Sequence, residues 1–209
     1  MKKIMFNDRY GLTDAVLQCR KTMTRRLVPK VGNVNDINWG IGNNGKTMIT
    51  IEALSFDGLI TEDIYPQYQV GEVVAIAQRY CDVSAHKLLL EDGTHPADSR
   101  GWSNKMFVKA NLMPHHIKII DSKVERLQDI SDEDVYKEGF RHEFINNNWG
   151  NSAYHEEAVI VYYDKKGLTK QIRSREPKEA FSFLIDKISG YGTWENNPWV
   201  FAYEFELID

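Results

Sequence analysis

Stretches that alternate apolar and polar residues trade places along this chain with stretches at helical spacing. Residues 3 to 6, KIMF, predict a short strand. Leu12, Val16 and Leu17 form a helical stripe, and Thr13 is placed to cap a helix running to about Cys19. Pro29 bars any continuation. TMITIEAL (47–54) alternates as a strand does, and VGEVVAIAQRY (70–80) does so after a turn at Gly71. HIKIIDSKVERL (116–127) predicts a further strand. ISDEDVYKEGF predicts a short helix with both ends marked: Ser131 as cap, Asp134 at the reciprocal capping-box position, Gly139 as stop. AVIVYYDKKGLTKQIRS predicts two strands joined around 164–167. Glu176 to Ile188 is an amphipathic helix with Pro177 in its first turn and Phe181, Leu184, Ile185 and Ile188 on one face. NPWVFAYEFELI (197–208) closes the series, with Trp199, Phe201, Tyr203 and Phe205 on one face as a core strand requires.

Six or seven strands with helices placed singly between them do not make regular βαβ units. They predict an α+β fold built on a small mixed or antiparallel sheet, partly closed into a barrel, with flanking helices. No Pro/Ser-rich linker divides the chain, so one domain over 1–209 is expected. Segments 31–46 (Gly/Asn-rich, anchored by Trp39), 84–113 and 141–157 read as insertions.

Composition narrows the function classes. At 42% hydrophobic residues the chain can bury a core, which excludes disorder. A formal charge of −4 supplies no global field toward nucleic acid, so any such contact needs a local patch. Cys19 and Cys81 lack C-x-x-C spacing and fit reduced thiols of a cytoplasmic protein. The apolar start ends at Phe6, too short for an export signal, and no run is long enough to span a bilayer. His86, His95, His115, His116, His142 and His155 show no zinc spacing, and no nucleophile elbow, P-loop or dinucleotide fingerprint occurs. No metal, cofactor or membrane partner is therefore expected.

The local patch is CRKTMTRR, residues 19–26. Arg20, Lys21, Arg25 and Arg26 gather around Thr22 and Thr24, and no acid occurs from Ala15 to Asn35. Complementing a helix dipole accounts for Arg20 and Lys21. It does not reach Arg25 and Arg26, whereas a phosphate or nucleotide site accounts for all four cations, with the hydroxyls adding hydrogen bonds. The second unusual position is Glu138, at the negative end of its helix and among five further acids from Asp129 to Glu143. Both effects raise a carboxyl pKa, as suits a proton carrier or the partner of a buried cation; the plain alternative is a solvated, frayed helix end.

AVLQCRKTMTRRLV resembles the opening of ASCH-domain proteins, where a helix precedes a G-R-K-T-x-T-x-R signature. VGEVVAIAQRY, ISDEDVYKEGF and FSFLIDKISGYGTWENNPWVFAYEFELI resemble the later landmarks of a larger, often phage- or prophage-encoded branch, in family order and over about half the chain. The resemblance implies a PUA-like fold, a small β-barrel with helices at its sides and a cleft beside the K-T-x-T segment. It implies an RNA, nucleotide or nucleoside ligand. One small branch of the family hydrolyses the acetyl amide of N4-acetylcytidine, and the corresponding residues here are Lys21, Thr24 and Glu138. Arg20, Thr22, Arg25, Arg26 and Arg79 are then candidate contacts to substrate or phosphate. Three departures stand out. Cys19 replaces the usual glycine, Arg25 replaces an apolar residue, and Gln78 and Arg79 stand where the larger branch often has W-V-R-E.

Three functions remain open. One is a binding module for RNA, nucleotide or modified nucleoside. Another is an amidohydrolase for N4-acylated cytosine, with Thr24 as nucleophile, Lys21 as base and Glu138 as proton shuttle. The third is a phage accessory protein that meets a host protein through the acidic 129–143 face.

Overall fold

The computed structural model describes residues 1–29, 37–42, 47–55, 58–83, 90, 93–146, 154–163 and 166–209. Parts of the three expected insertions lie outside the described residues.

The fold is mixed α+β, and its described strands form three sheets. The largest takes β1 (Lys2–Ile4), β2 (Met23–Leu27), β6 (Val73–Ile76), β7 (His116–Arg126) and β11 (Trp199–Leu207), in the order β1-β6-β7-β11-β2. β1 and β6 run parallel, and the other pairs are antiparallel. A second sheet is β3 (Ile37–Ile41), β4 (Thr47–Ser55) and β5 (Gly58–Ile64). The third is β8 (Arg141–Asn146), β9 (Tyr154–Tyr163) and β10 (Thr169–Ser174), ordered β10-β9-β8. Among the described residues the strands do not close into one barrel, so that expectation is corrected to three open sheets.

Two further differences have a physical reason. Segment 31–46 was expected to be a loop, yet Ile37–Ile41 pairs along β4, and the Trp39 ring lies 6.3 Å from that of Phe201. Within segment 141–157, which the sequence reads as an insertion, β8 lies along β9 from Arg141 to Asn146. Both are short strands whose polar or Gly-rich sequence hides the period of two, and pairing rather than propensity makes them.

β11 lies between β7 and β2, in register from Val200 opposite Leu27 to Glu204 opposite Met23. A bulge between Glu204 and Phe205 shifts its pairing with β7. The aromatic face is buried at Phe201, Tyr203 and Phe205, as expected. Val200 and Ala202 on the other face are buried too, so this strand is covered on both sides. One apolar cluster draws on all three sheets and the helices, including Ile49, Ile117, Ile160, Leu184 and Phe205.

The first helix, α1 (Leu12–Leu17), begins after Gly11, not at a Thr13 cap; the Thr13 hydroxyl donates to Asp8 instead. Its end folds into a tight turn. The N–H groups of Cys19 and Arg20 bond the carbonyls of Val16 and Ala15 at 2.9 and 2.8 Å. That turn puts Cys19 at φ 56°, a left-handed conformation that favours glycine. α2 (Asp132–Lys137) is capped by the Ser131 side chain, which accepts from the N–H of Asp134, and Gly139 follows at φ 108°. Gly139 packs so closely that a Cβ there would meet Ala15 and Lys21 at 3.4 Å. α3 (Pro177–Ser189) buries Phe181, Leu184 and Ile185, whereas Ile188 is exposed at the rim of a cleft. α4 (Thr193–Asn196) is a single turn.

Cys19→Gly removes a Cβ from a left-handed position. The expected result is a gain of about 0.5–1 kcal/mol, read as a higher urea midpoint with unchanged slope. A lower midpoint would show that the cysteine side chain contributes more than its backbone conformation costs.

Candidate functional site

The turn from Cys19 to Thr22 is tied on both sides. The Thr22 N–H bonds the Lys137 carbonyl at 2.9 Å, and the Thr22 carbonyl accepts from Phe205 at 2.8 Å. α2 is thereby held against the large sheet, and Lys21 points into the seam between them. Its side chain is only 1% exposed. The ammonium donates to the Met23 carbonyl at 2.7 Å, to the Glu138 carbonyl at 3.0 Å and to the Glu138 carboxylate. All three protons have partners, which is what an ammonium needs out of water. Burial pulls the Lys21 pKa below its usual value, and Glu138 pulls in the opposite direction.

Glu138 is the C-cap of α2 and is buried, so it is not a frayed end. Its other carboxylate oxygen accepts from Arg25 at 3.1 Å. The Arg25 guanidinium also donates to Glu125 at 2.8 Å and to Asp134 at 2.7 Å. Lys123 completes the group, 2.9 Å from Glu125 and 3.3 Å from Asp134. Lys21, Arg25 and Lys123 thus face Glu125, Asp134 and Glu138, and the formal charges cancel. Burial pushes the Asp134 carboxyl up, but hydrogen bonds and charge from Arg25 and Lys123 outweigh it and hold the pKa below 3.8. The three acids raise Arg25 despite its burial.

In front of this network lies a cavity of about 740 Å³. Lys21, Thr24, Arg25, Arg26 and Glu138 are among its lining residues. Phe6, Leu127, Phe181, Leu184 and Ile185 supply an apolar wall. Thr24 is buried there on β2, opposite Tyr203 of β11. Arg26 donates to the Met5 carbonyl at 2.6 Å and sits 6.0 Å from the Phe6 ring centre, with no carboxylate partner among the described residues. Lys105, from the expected insertion 84–113, reaches the same cavity and pairs with Asp8 at 2.6 Å.

The fold brings Lys21, Thr24, Arg25, Arg26 and Glu138 together. It places the other candidates elsewhere. Arg20 and Thr22 open on the far side of the turn. Arg79 is exposed and paired with Asp82 at 2.7 Å, away from the cavity lining. Arg25 lines the cavity, but its donors are committed to three acids. Residues missed from the sequence are Glu125, Lys123, Asp8, Arg9 and Lys105. Nothing in the local pattern links residue 105 to residue 8. No described group of His, Cys, Asp and Glu forms a metal site. No described helix is long and apolar enough to cross a membrane.

Two expectations follow from the network. Arg25→Met leaves buried Asp134 and Glu138 and half-buried Glu125 with two lysines, and should cost about 3–5 kcal/mol in urea denaturation. The depressed Asp134 pKa contributes stability that is complete above about pH 4 and is lost as pH falls through the folded value. In Asp134→Asn the acid limb of a stability–pH profile should be flatter, from a lower plateau. An unchanged acid limb would show that other carboxylates control acid unfolding.

Comparison with protein-family models, with curated proteins and with solved structures finds no match to this chain.

Proposed function

We propose that this cavity binds a nucleoside-sized ligand, a nucleotide or modified nucleoside, free or as one unit of single-stranded RNA. The observation that carries the reading is the roughly 740 Å³ space with a fully buried Lys21–Glu138 pair in its lining beside Thr24 and an apolar wall. Small-molecule sites of this size pair apolar walls with a few converging polar groups. The ligand's charge is constrained as well. Lys21 and Arg25 are neutralised by acids and Lys105 by Asp8, which leaves Arg9 and Arg26 as the lining cations without a carboxylate partner among the described residues. Two such cations match one phosphate at most, so a nucleoside or its monophosphate suits this lining better than a polyphosphate does.

The resemblance to ASCH-domain proteins supports the same ligand class and supplies the second reading, deacylation of an N4-acylated cytosine. What favours it is the burial of Lys21, which pulls its pKa down toward a usable base. Passing one Lys21 proton to the Glu138 carboxylate would leave an amine facing a carboxylic acid. The amine takes the Thr24 hydroxyl proton as the oxygen attacks the amide carbonyl. Glu138 returns its proton to the departing cytosine amine, and water then hydrolyses the Thr24 ester. The protein-binding alternative has less to stand on, because Asp134 and Glu138 of the acidic segment turn inward.

The test titrates cytidine and N4-acetylcytidine against wild type, Lys21→Met and Thr24→Val by calorimetry, with circular dichroism confirming the fold. Saturable binding to wild type that weakens at least about tenfold in both variants is the expected result. Binding unaffected by either change, or absent from wild type, removes this cavity as the site. The same samples, assayed for cytidine release, decide the second reading. Turnover abolished by Thr24→Val supports it, and binding without turnover overturns it.

A further inference from the structure

The other face of the 19–22 turn carries charge that nothing described above uses. Between this turn, the outer side of α2 and the start of β8 lies an open hollow of about 650 Å³. Its lining includes Arg20, Thr22, Lys137 and Arg141, with Glu133 as its acid. Glu133 is committed, lying 3.5 Å from Lys137, which also reaches Glu204 at 3.2 Å. The two arginines are different. Arg20 donates to the Gln18 side chain at 3.0 Å and to the Gly139 carbonyl at 3.5 Å. Neither guanidinium has a carboxylate within ion-pair distance among the described residues. They are nonetheless close enough to interact. Burial and then the charge of Arg141 pull Arg20 below its usual pKa, and the charge of Asp14 pulls the other way.

Two guanidiniums that line one hollow without a carboxylate in ion-pair contact repel each other, and the fold holds them there. Arg20 sits in the turn closed by the Ala15 carbonyl, and Arg141 follows directly on the packed Gly139–Phe140 segment. Thr22, pinned by backbone bonds to α2 and β11, lies between them in sequence and lines the same hollow. Beside them the Tyr136 and His142 rings are stacked, with centres 3.4 Å apart and planes 15° from parallel. Arginine forks with a hydroxyl match the several acceptor oxygens of a phosphate, and the flat rings offer a stacking neighbour to a base or sugar, with Glu156 holding the His142 imidazole.

We propose that Arg20, Thr22 and Arg141 form a phosphate-binding site on the outer side of α2, separate from the nucleoside cavity. The phosphate is that of a nucleotide or of single-stranded RNA. That choice of ligand rests on the nucleoside reading above, whereas the site rests on the paired guanidiniums. The bound dianion or phosphodiester replaces the missing carboxylates and relieves the repulsion between the arginines.

Three probes separate the cases: cytidine, cytidine 5′-monophosphate and an oligouridine of about 12 nucleotides, long enough to cover one binding groove. Each is titrated against wild type, Arg20→Gln, Arg141→Gln, the double variant and Lys170→Gln, an exposed charge control on β10. Both arginines are on the surface side of the turn, and urea midpoints check that the variants fold. The double variant should weaken the phosphate-bearing probes on the order of tenfold and reduce the salt slope by about one. Cytidine binding should not change, and Lys170→Gln should move nothing. A response with the monophosphate supports a mononucleotide source, and a response with the oligomer alone supports RNA. The proposal is overturned if no phosphate-bearing probe binds wild type, if the double variant stays within about twofold of it, or if Lys170→Gln has an equal effect. Loss of phosphate affinity in the arginine variants, in a protein that does not bind cytidine, would retain this site and remove the nucleoside reading.

Discussion

A guanidinium taken out of water must find an acceptor for nearly every N–H it has, and here that constraint falls on Arg25. Its side chain is 1% exposed and is answered by Glu125 from β7, Asp134 from the first turn of α2 and Glu138 from the end of α2. The three acids come from two elements, so the arginine fastens the helix to the sheet at both of its ends. A lysine could not replace it, because a compact ammonium lacks the rigid fork that reaches three carboxylates at once. Lys21 depends on this arrangement indirectly. Glu138 is held by Arg25 through one oxygen and meets Lys21 with the other. The buried network gains its stability less from attraction than from completeness, since each member removed would strand a charge.

That fastening divides the charge of one short stretch between two surfaces. Inward, Lys21 and Arg25 are neutralised by acids. Outward, Arg20 and Arg141 line one hollow, and neither has a carboxylate within ion-pair distance among the described residues. A count of charge along residues 19–26 cannot distinguish the two conditions. A cation that is already satisfied can set a pKa or hold a helix, and only an unsatisfied one has much to gain from an anion. The four cations that look alike in sequence therefore do different work.

The strands with clean alternation, such as 116–126 and 199–207, were legible because their period matches a half-buried sheet, and both ends of α2 were legible from Ser131 and Gly139. β3 and β8 were not, since pairing partners rather than their own residues make them strands. The prominence of Lys21, Thr24 and Glu138 was visible, through charge pattern, helix position and the ASCH resemblance. Their company was not. Glu125 looks like an ordinary alternating surface residue of β7, and its approach to Arg25 depends on β11 lying between β7 and β2 with a fixed register. Lys105 falls in a segment of short 3₁₀ turns, where no periodicity points to a distant cavity. Local pattern reports local geometry, and the missed residues are those placed by the order of strands.

That order has a consequence for synthesis. β2, which carries Thr24, Arg25 and Arg26, has β11 as its one sheet neighbour among the described residues, and β11 is made about 170 residues later. Until the ribosome has released residues 199–207, β2 and one side of β7 are unsatisfied edges, and the polar groups of the cavity have no frame. The cavity is thus incomplete in the nascent chain. A message truncated upstream of this strand would encode a sticky, half-assembled sheet and not a weakened site.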